Sequence, residues 1–258
     1  MFRMFRRKRY RRRNGWWAAV RAIPAVSRVF VWIPRILLMA LVVDLFYVAT
    51  IWPDWSRYQS GPIPKSKFIQ HYLKIRKQMH YPPLRWHPVP YSELPAHLLR
   101  AVVVAEDSRF YQHHGFDLIA FKEAMDYNLR TGRPAFGGST ISQQTAKNLF
   151  LSARRDPLRK WHELLLTWGM EHHLKKRRIL ELYLNVAEFG TGIYGADAAS
   201  EYYWHIPVSQ ISERQAIELA ATLPAPKHDN PAEQGKFFKR RVEKITAWMA
   251  PPPESENK

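Results

Sequence analysis

The chain has 258 residues, 46% hydrophobic and 24% charged, with 40 Lys and Arg against 22 Asp and Glu and a formal net charge of +18. That length allows one domain with an appendage. It contains no cysteine, which excludes a disulfide scaffold and thiolate catalysis and suits an oxidising compartment outside the cytoplasm.

The charge is uneven. Residues 1–35 carry eleven Arg and Lys, eight of them within 1–13, and no acid. The rest holds 29 basic residues (40 less those eleven) against 22 acidic ones. A polycation binds phosphate, on nucleic acid or on lipid headgroups, and the next segment selects the lipid. Ile36–Trp52 is seventeen residues with one charge, Asp44. With the apolar residues before it, a span of roughly 20 residues fits over 31–52. Trp32 and Trp52 sit near its ends as an aromatic belt would, and the basic flank keeps a tail of residues 1–30 in the cytoplasm. A cleaved signal peptide is the rival reading, but the chain runs into Trp52-Pro53-Asp54-Trp55 with no small-residue cleavage site.

Residues 53–90 are rich in proline, cations and aromatics and read as a juxtamembrane linker with one short helix, Lys65–Met79. Its Lys67, Lys74, Arg76 and Lys77 rest on anionic lipid or simply face water. Residues 91–249 form the main domain, and helical spacing dominates there. Helices are expected over Ser92–Ala105, Asp117–Arg130, Ser139–Phe150, Asp156–Leu174, Arg178–Phe189, Ser212–Leu223 and Lys236–Met249, with a polar tail over 250–258. Thr140 with Gln143 and Ser212 with Gln215 have capping-box spacing. Asp156-Pro157 is an N-cap followed by proline at the first helical position. No strong alternating run appears, so the body is mainly α.

Three helices carry candidate chemistry. Glu106 ends an apolar helix, where the macrodipole and adjacent Asp107 both raise a carboxylate's pKa toward general-base range. A solvated Glu-Asp pair at a helix end has the same spacing. Thr140, Gln144 and Lys147 share one face of the next helix, behind Gly137-Gly138, whose amides are free to meet a phosphate. The bland alternative is a capped amphipathic helix. Arg159 and Glu163 make either a plain i, i+4 pair or a second carboxylate beside phosphate-binding cations. His162-Glu163 starts like a zinc motif, but Leu166 occupies the second histidine position, which excludes it. His113, His114, His172 and His173 lack metal spacing and read as structural or surface groups. Nothing matches a nucleic-acid module.

Together these segments resemble family 51 glycosyltransferases, the peptidoglycan polymerases. Glu-Asp-x-x-Phe-x-x-His-x-Gly is met by Glu106, Asp107, Phe110, His113 and Gly115. Gly-Gly-Ser-Thr-Ile-x-Gln-Gln-x-x-Lys-Asn is met from Gly137 to Asn148. Arg-Lys-x-x-Glu is met by Arg159, Lys160 and Glu163, and Lys-x-x-Ile-Leu-Glu-x-Tyr-Leu-Asn by Lys176 through Asn185. Gly192, Tyr194 and Gly195, then Ala221, Leu223, Pro224 and Pro226, complete the order. Ser142 and Thr145 replace residues common in bifunctional members. No Lys-Thr-Gly follows, so a monofunctional member is expected.

The resemblance implies a lysozyme-like helical glycosyltransferase domain behind one transmembrane helix. It implies lipid II and a growing glycan strand as substrates. Glu106 would be the general base, with Glu163 a second catalytic carboxylate that orients cations or helps hold Mg or Mn; no cofactor is otherwise required. Substrate contacts would come from Asp107, Phe110, His113, Ser139, Thr140, Gln144, Lys147, Asn148, Arg159 and Lys160. The setting implied is a bacterial inner membrane with a periplasmic catalytic domain, among proteins of cell-wall synthesis or division. Ala135-Phe136 and the Lys65–Trp86 segment are candidates for bilayer contact. Paired carboxylates beside a sugar also describe a glycosidase, and a non-catalytic scaffold for polyanions is the other alternative.

Overall fold

The computed structural model describes residues 16–132, 138–153 and 156–250. The first fifteen residues of the basic tail, Gly137 with Ala135-Phe136 before it, and the polar tail from Pro251 lie outside the described residues. The chain divides into two units, residues 1–52 and 53–258. In the first, α1 (Trp16–Ile51) is one helix of 36 residues. It starts inside the segment expected as a tail, because cations thin out to Arg21 and Arg28 between alanines and valines there. Its stretch Trp32–Ile51 is 20 residues with a mean hydropathy of 1.9, enough to cross an apolar layer of ~30 Å at ~1.5 Å per residue.

The second unit begins with α2 (Ser56–Gln59), α3 (Lys67–Ile75), β1 (Arg85–Trp86) and α4 (Ala96–Glu106). It continues through α5 (Leu118–Thr131), α6 (Ile141–Phe150), α7 (Pro157–His173) and α8 (Lys176–Val186). Then come β2 (Glu188–Gly190), β3 (Ile193–Tyr194), α9 (Ala196–Trp204), α10 (Glu213–Thr222) and α11 (Lys236–Met249). Small side chains let α4 and α10 pack closely: Ala101, Ala216, Ala220 and Ala221 are buried beside Leu98, Val102 and Leu219. α11 lies against both through Phe238, Val242 and Ile245. α6 is held between α7 and α8 by Ile141, Leu149, Leu166, Met170, Ile179 and Leu182. Each such side chain contributes about 1.5–3 kcal/mol by leaving water.

Helix starts fall where the capping signals put them. Thr140 and Ser212 form the expected capping boxes, and the Asp156 side chain accepts from the Arg159 amide at 2.7 Å. Helix ends differ. The helix expected to reach Phe189 stops at Val186, because the next residues enter a three-stranded sheet ordered β1-β3-β2. β1 runs parallel to β3, pairing Trp86 with Tyr194, and β2 runs antiparallel to β3.

The segment 53–90, expected as a linker, folds into the compact unit. Trp55, Ile63, Ile69 and Tyr72 are buried. Asn185 fastens its far end: the side-chain amide donates to Val89 O and its oxygen accepts from Val89 N at 2.7 Å, while its carbonyl takes the Trp86 indole N–H. Tyr72 crosses over Gly192 so closely that a Cβ there would lie 2.3 Å from its hydroxyl oxygen, and Gly192 also has φ +79°. Glycine at this position is therefore required twice over.

Asn185→Ala is expected to leave the Val89 amide and carbonyl without partners and to lower stability by about 2–3 kcal/mol. Thermal unfolding of the full chain in detergent checks this; an unchanged midpoint would show that Asn185 does not anchor the segment.

Candidate active site

The site forms where the end of α4 meets the start of α6. Asp107, one residue past α4, turns its carboxylate onto α6: Oδ2 accepts from the Ile141 amide at 3.0 Å. Ile141 is the first residue of α6, so an anion caps that helix's positive end. His113 Nε2 donates to the same carboxylate at 2.9 Å. Burial is the largest influence on Asp107 and raises its pKa, against the pull of His113 and the Ile141 amide. Thr140 is buried; its hydroxyl donates to Gly115 O at 2.7 Å while capping α6. Gly115 has φ +91°, and a Cβ there would lie 2.9 Å from Thr167 Cγ2.

That arrangement fixes Glu106. Its Oε2 accepts from Gln144 Nε2 at 2.8 Å and its Oε1 from Arg241 Nη2 at 2.5 Å. Burial raises its pKa; Arg241, Gln144 and Lys147 oppose the rise. The direction matches the sequence expectation, but the cause differs: Asp107 is a minor contributor, because desolvation acts on the whole charge. Gln144 is itself oriented by the Tyr183 hydroxyl, which donates to its Oε1 at 3.1 Å. Tyr183 is buried, and its own pKa is driven well above the usual phenol value. A cleft of about 150 Å³ opens beside Glu106, walled by Ser108, Asp117, Gly138 and Ser139.

A second cluster lies on α7. Glu163 is buried, with Arg159 Nη1 on Oε2 at 2.8 Å and Lys160 Nζ on Oε1 at 2.5 Å. Lys147 makes no hydrogen bond or ion pair among the described residues; its Nζ stands 6.0 Å from the Phe68 ring centre. Burial lowers its pKa, while the charges of Glu163 and Glu106 both oppose that shift. One acid and three cations leave this cluster with a net charge of about +2, able to receive an anion.

The sequence-predicted residues thus separate by position. Glu106, Gln144, Lys147, Arg159, Lys160 and Glu163 belong to these two clusters, and Ser139 lines the cleft. Asn148 is partly exposed on α6. Phe110 is fully buried, its ring under Lys176 Nζ at 4.4 Å. Asp107 and Thr140 line the cleft beside Glu106, while Phe110 and His113 stand behind it, with His113 on the Asp107 carboxylate. Arg241 is the residue that sequence reading missed. It lies 135 positions from Glu106, in a helix read only as basic, and Arg240-Arg241 carries no local signal to separate it from its neighbours.

Among the described residues, Asp107, His113 and Asp117 form the cluster with ligand atoms close enough for a metal, within 4.8 Å. The set does not fit one as it stands. Asp107 is taken by His113 and Ile141, and Asp117 accepts from Ile119 N, Ala120 N and Arg109 Nε. Both oxygens of Glu163 are likewise held by cations. No chemical step is therefore assigned to a metal. Another cavity, of about 950 Å³, contains none of these groups.

A desolvated carboxylate beside a net-positive cluster has the elements of a group-transfer enzyme's site: a group able to take a proton and cations able to hold an anion. The transglycosylase family model matches residues 76–250, and the chain belongs to that family. It is similar to the biosynthetic peptidoglycan transglycosylase of Nitrosospira multiformis, at 39% identity over 223 residues, 85% of this chain and 96% of that one. The protein of the same description from Burkholderia thailandensis is 40% identical over 210 residues, 81% of this chain and 80% of that one. The one from Ralstonia nicotianae is 50% identical over 143 residues, 55% of this chain and 60% of that one.

Asp107→Ala should deprive the Ile141 amide and His113 of their acceptor and cost about 2–4 kcal/mol of stability. Asp107→Asn keeps one acceptor oxygen and should lose less. Denaturant unfolding of both variants checks the order; equal midpoints for the alanine variant and the wild type would remove Asp107 from this role.

Proposed function

We propose that the protein polymerises lipid II into β-1,4-linked glycan strands at the outer face of a bacterial inner membrane, held there by the 31–52 span with residues 1–30 in the cytoplasm. The observation that carries this reading is Glu106: a buried carboxylate with a raised pKa, steadied by Gln144 and Arg241. Glu106 takes the proton of the acceptor sugar's 4-hydroxyl. The oxygen so freed forms a bond to the anomeric carbon of the growing strand. The bond from that carbon to undecaprenyl pyrophosphate breaks with inversion, and the pyrophosphate leaves carrying the electron pair. Its charge is received by Lys147, Arg159 and Lys160. Glu163 does not touch the reacting atoms in this scheme; it positions Arg159 and Lys160, each at one of its oxygens.

Hydrolysis of glycan is the poorer reading. A glycosidase needs no anion-receiving cluster, and this chain gathers Lys147, Arg159 and Lys160 around the single acid Glu163. Membrane substrate also suits the surface. α5 has no buried residue, and Leu118, Phe121, Met125 and Leu129 repeat along one exposed face. An apolar stripe of that kind next to the reaction cleft fits contact with lipid.

Incubation of the full chain with purified lipid II in detergent, followed by separation of glycan products, tests the assignment. Wild type should yield polymer, and Glu106→Gln should lose about 10²–10⁴ of the rate. Lys147→Ala should lose about 10²-fold with its fold intact. Unchanged turnover in either variant removes that residue from the chemistry.

The pH profile follows from the pKa directions. The base form of Glu106 is lost as pH falls through its raised pKa, so activity should decline above the ordinary carboxylate range. Arg241→Gln removes a cation that holds the pKa down, and the acid limb should move to higher pH. A limb that stays in place would sink the proposed coupling.

A further inference from the structure

The 950 Å³ cavity lies between residues 59–63, residues 88–92 and the junction of α7 with α8. Its walls are apolar: Pro62, Ile63, Pro88, Val89 and Pro90 line it. Its floor is a closed polar pair. Arg178 donates to Tyr58 O and Gly61 O at 2.8 and 2.9 Å and bridges to Glu181 at 2.9 Å, so its charge is consumed by the fold. Two further cations on the lining remain available. Lys175 and Arg177 are exposed and form no ion pair among the described residues; Arg177 rests over the Tyr91 ring at 4.2 Å. The neutral floor and the two uncompensated cations give the cavity a net positive charge.

We infer that this cavity binds the headgroup of an anionic phospholipid, its phosphodiester at Lys175 and Arg177 and its glycerol and first methylenes against the proline walls. The volume is at the upper end of that of ligand pockets, about 300–1,000 Å³, and well beyond what a lone tetrahedral anion fills. An apolar wall beside cations matches an amphiphilic anion rather than a free one. The source is supplied by the chain itself: Gln59, the first residue of the wall, comes eight positions after Ile51, the last residue of the apolar span. The cavity is separate from the reaction site, since neither Glu106, Lys147, Arg159, Lys160 nor Glu163 lines it. The inference rests on the membrane-anchored reading of residues 31–52, not on the reaction assigned to Glu106.

The test is a titration of the full chain, in neutral detergent, with short-chain dihexanoyl phosphatidylglycerol, read as the thermal unfolding midpoint. The midpoint should rise and saturate. Dihexanoyl phosphatidylcholine, with the same chains and no net charge, should raise it far less, and so should inorganic phosphate. The Lys175→Ala/Arg177→Ala variant should need about thirtyfold more phosphatidylglycerol, the factor that two lipid-facing cations supply, with polymer yield from lipid II unchanged. Equal response to phosphatidylcholine, equal response to free phosphate, or a variant that titrates like wild type would each overturn the inference. If that variant unfolds early without lipid, Ser60→Trp, which fills the cavity and keeps both charges, should show the same loss of lipid response. Loss of polymerisation with lipid binding intact would instead count against the proposed reaction and leave the lipid site standing.

Discussion

The site depends on one buried anion. Asp107 joins the end of α4 to the start of α6, with its carboxylate on the Ile141 amide and on His113. A carboxylate out of water is costly unless its lone pairs are filled, and here a helix N-terminus and an imidazole fill them. Because Glu106 is the preceding residue, its position is set by the same bond that sets α6. Gln144, on the first turn of α6, then reaches it without any adjustable loop between them. The spacing Glu-Asp followed some thirty residues later by Gly-Ser-Thr-Ile is thus a statement about one clamp seen from both sides.

Glu106 and Glu163 live under opposite conditions. Glu163 is neutralised at both oxygens by Arg159 and Lys160, which share its helix one turn away. Glu106 is ion-paired to one cation, Arg241, and hydrogen-bonded to the Gln144 amide, with Lys147 acting on it without a bond. Local, helix-encoded pairing fixes both cations on the Glu163 carboxylate. Partial compensation in a desolvated place lets a charge come and go, which is what proton transfer requires. In the proposed reaction, the division of labour between the carboxylates follows from how completely each is matched.

The helices and the site's own carboxylates were legible in the sequence, because capping boxes, proline at a helix start and apolar periodicity are local signals. Thr140, Asp156 and Ser212 cap helices where the sequence placed them. What escaped was long-range. Arg241 meets Glu106 across 135 positions and Asn185 meets Val89 across 96; no window of neighbouring residues contains either pair. The two-residue strands β1 and β3 are too short to show alternation, and α9 hid behind a run of aromatics. The 53–90 segment looked like a linker because its buried Trp55, Ile63, Ile69 and Tyr72 follow no period. Their partners lie far away in the chain.

Tyr183 gives the site a fixed polarity. With its pKa far above any pH a cell meets, its hydroxyl keeps its proton and acts always as donor toward Gln144 Oε1. The Gln144 amide then has one allowed orientation, with its N–H₂ end on Glu106. A flipped amide would set two oxygens face to face at Glu106 and leave the phenol without an acceptor. The tyrosine therefore acts as a ratchet pawl for a side chain it touches and a carboxylate it does not. In this chain of three groups, Tyr183 and Gln144 keep their protons, so along it only Glu106 is left to change its proton count.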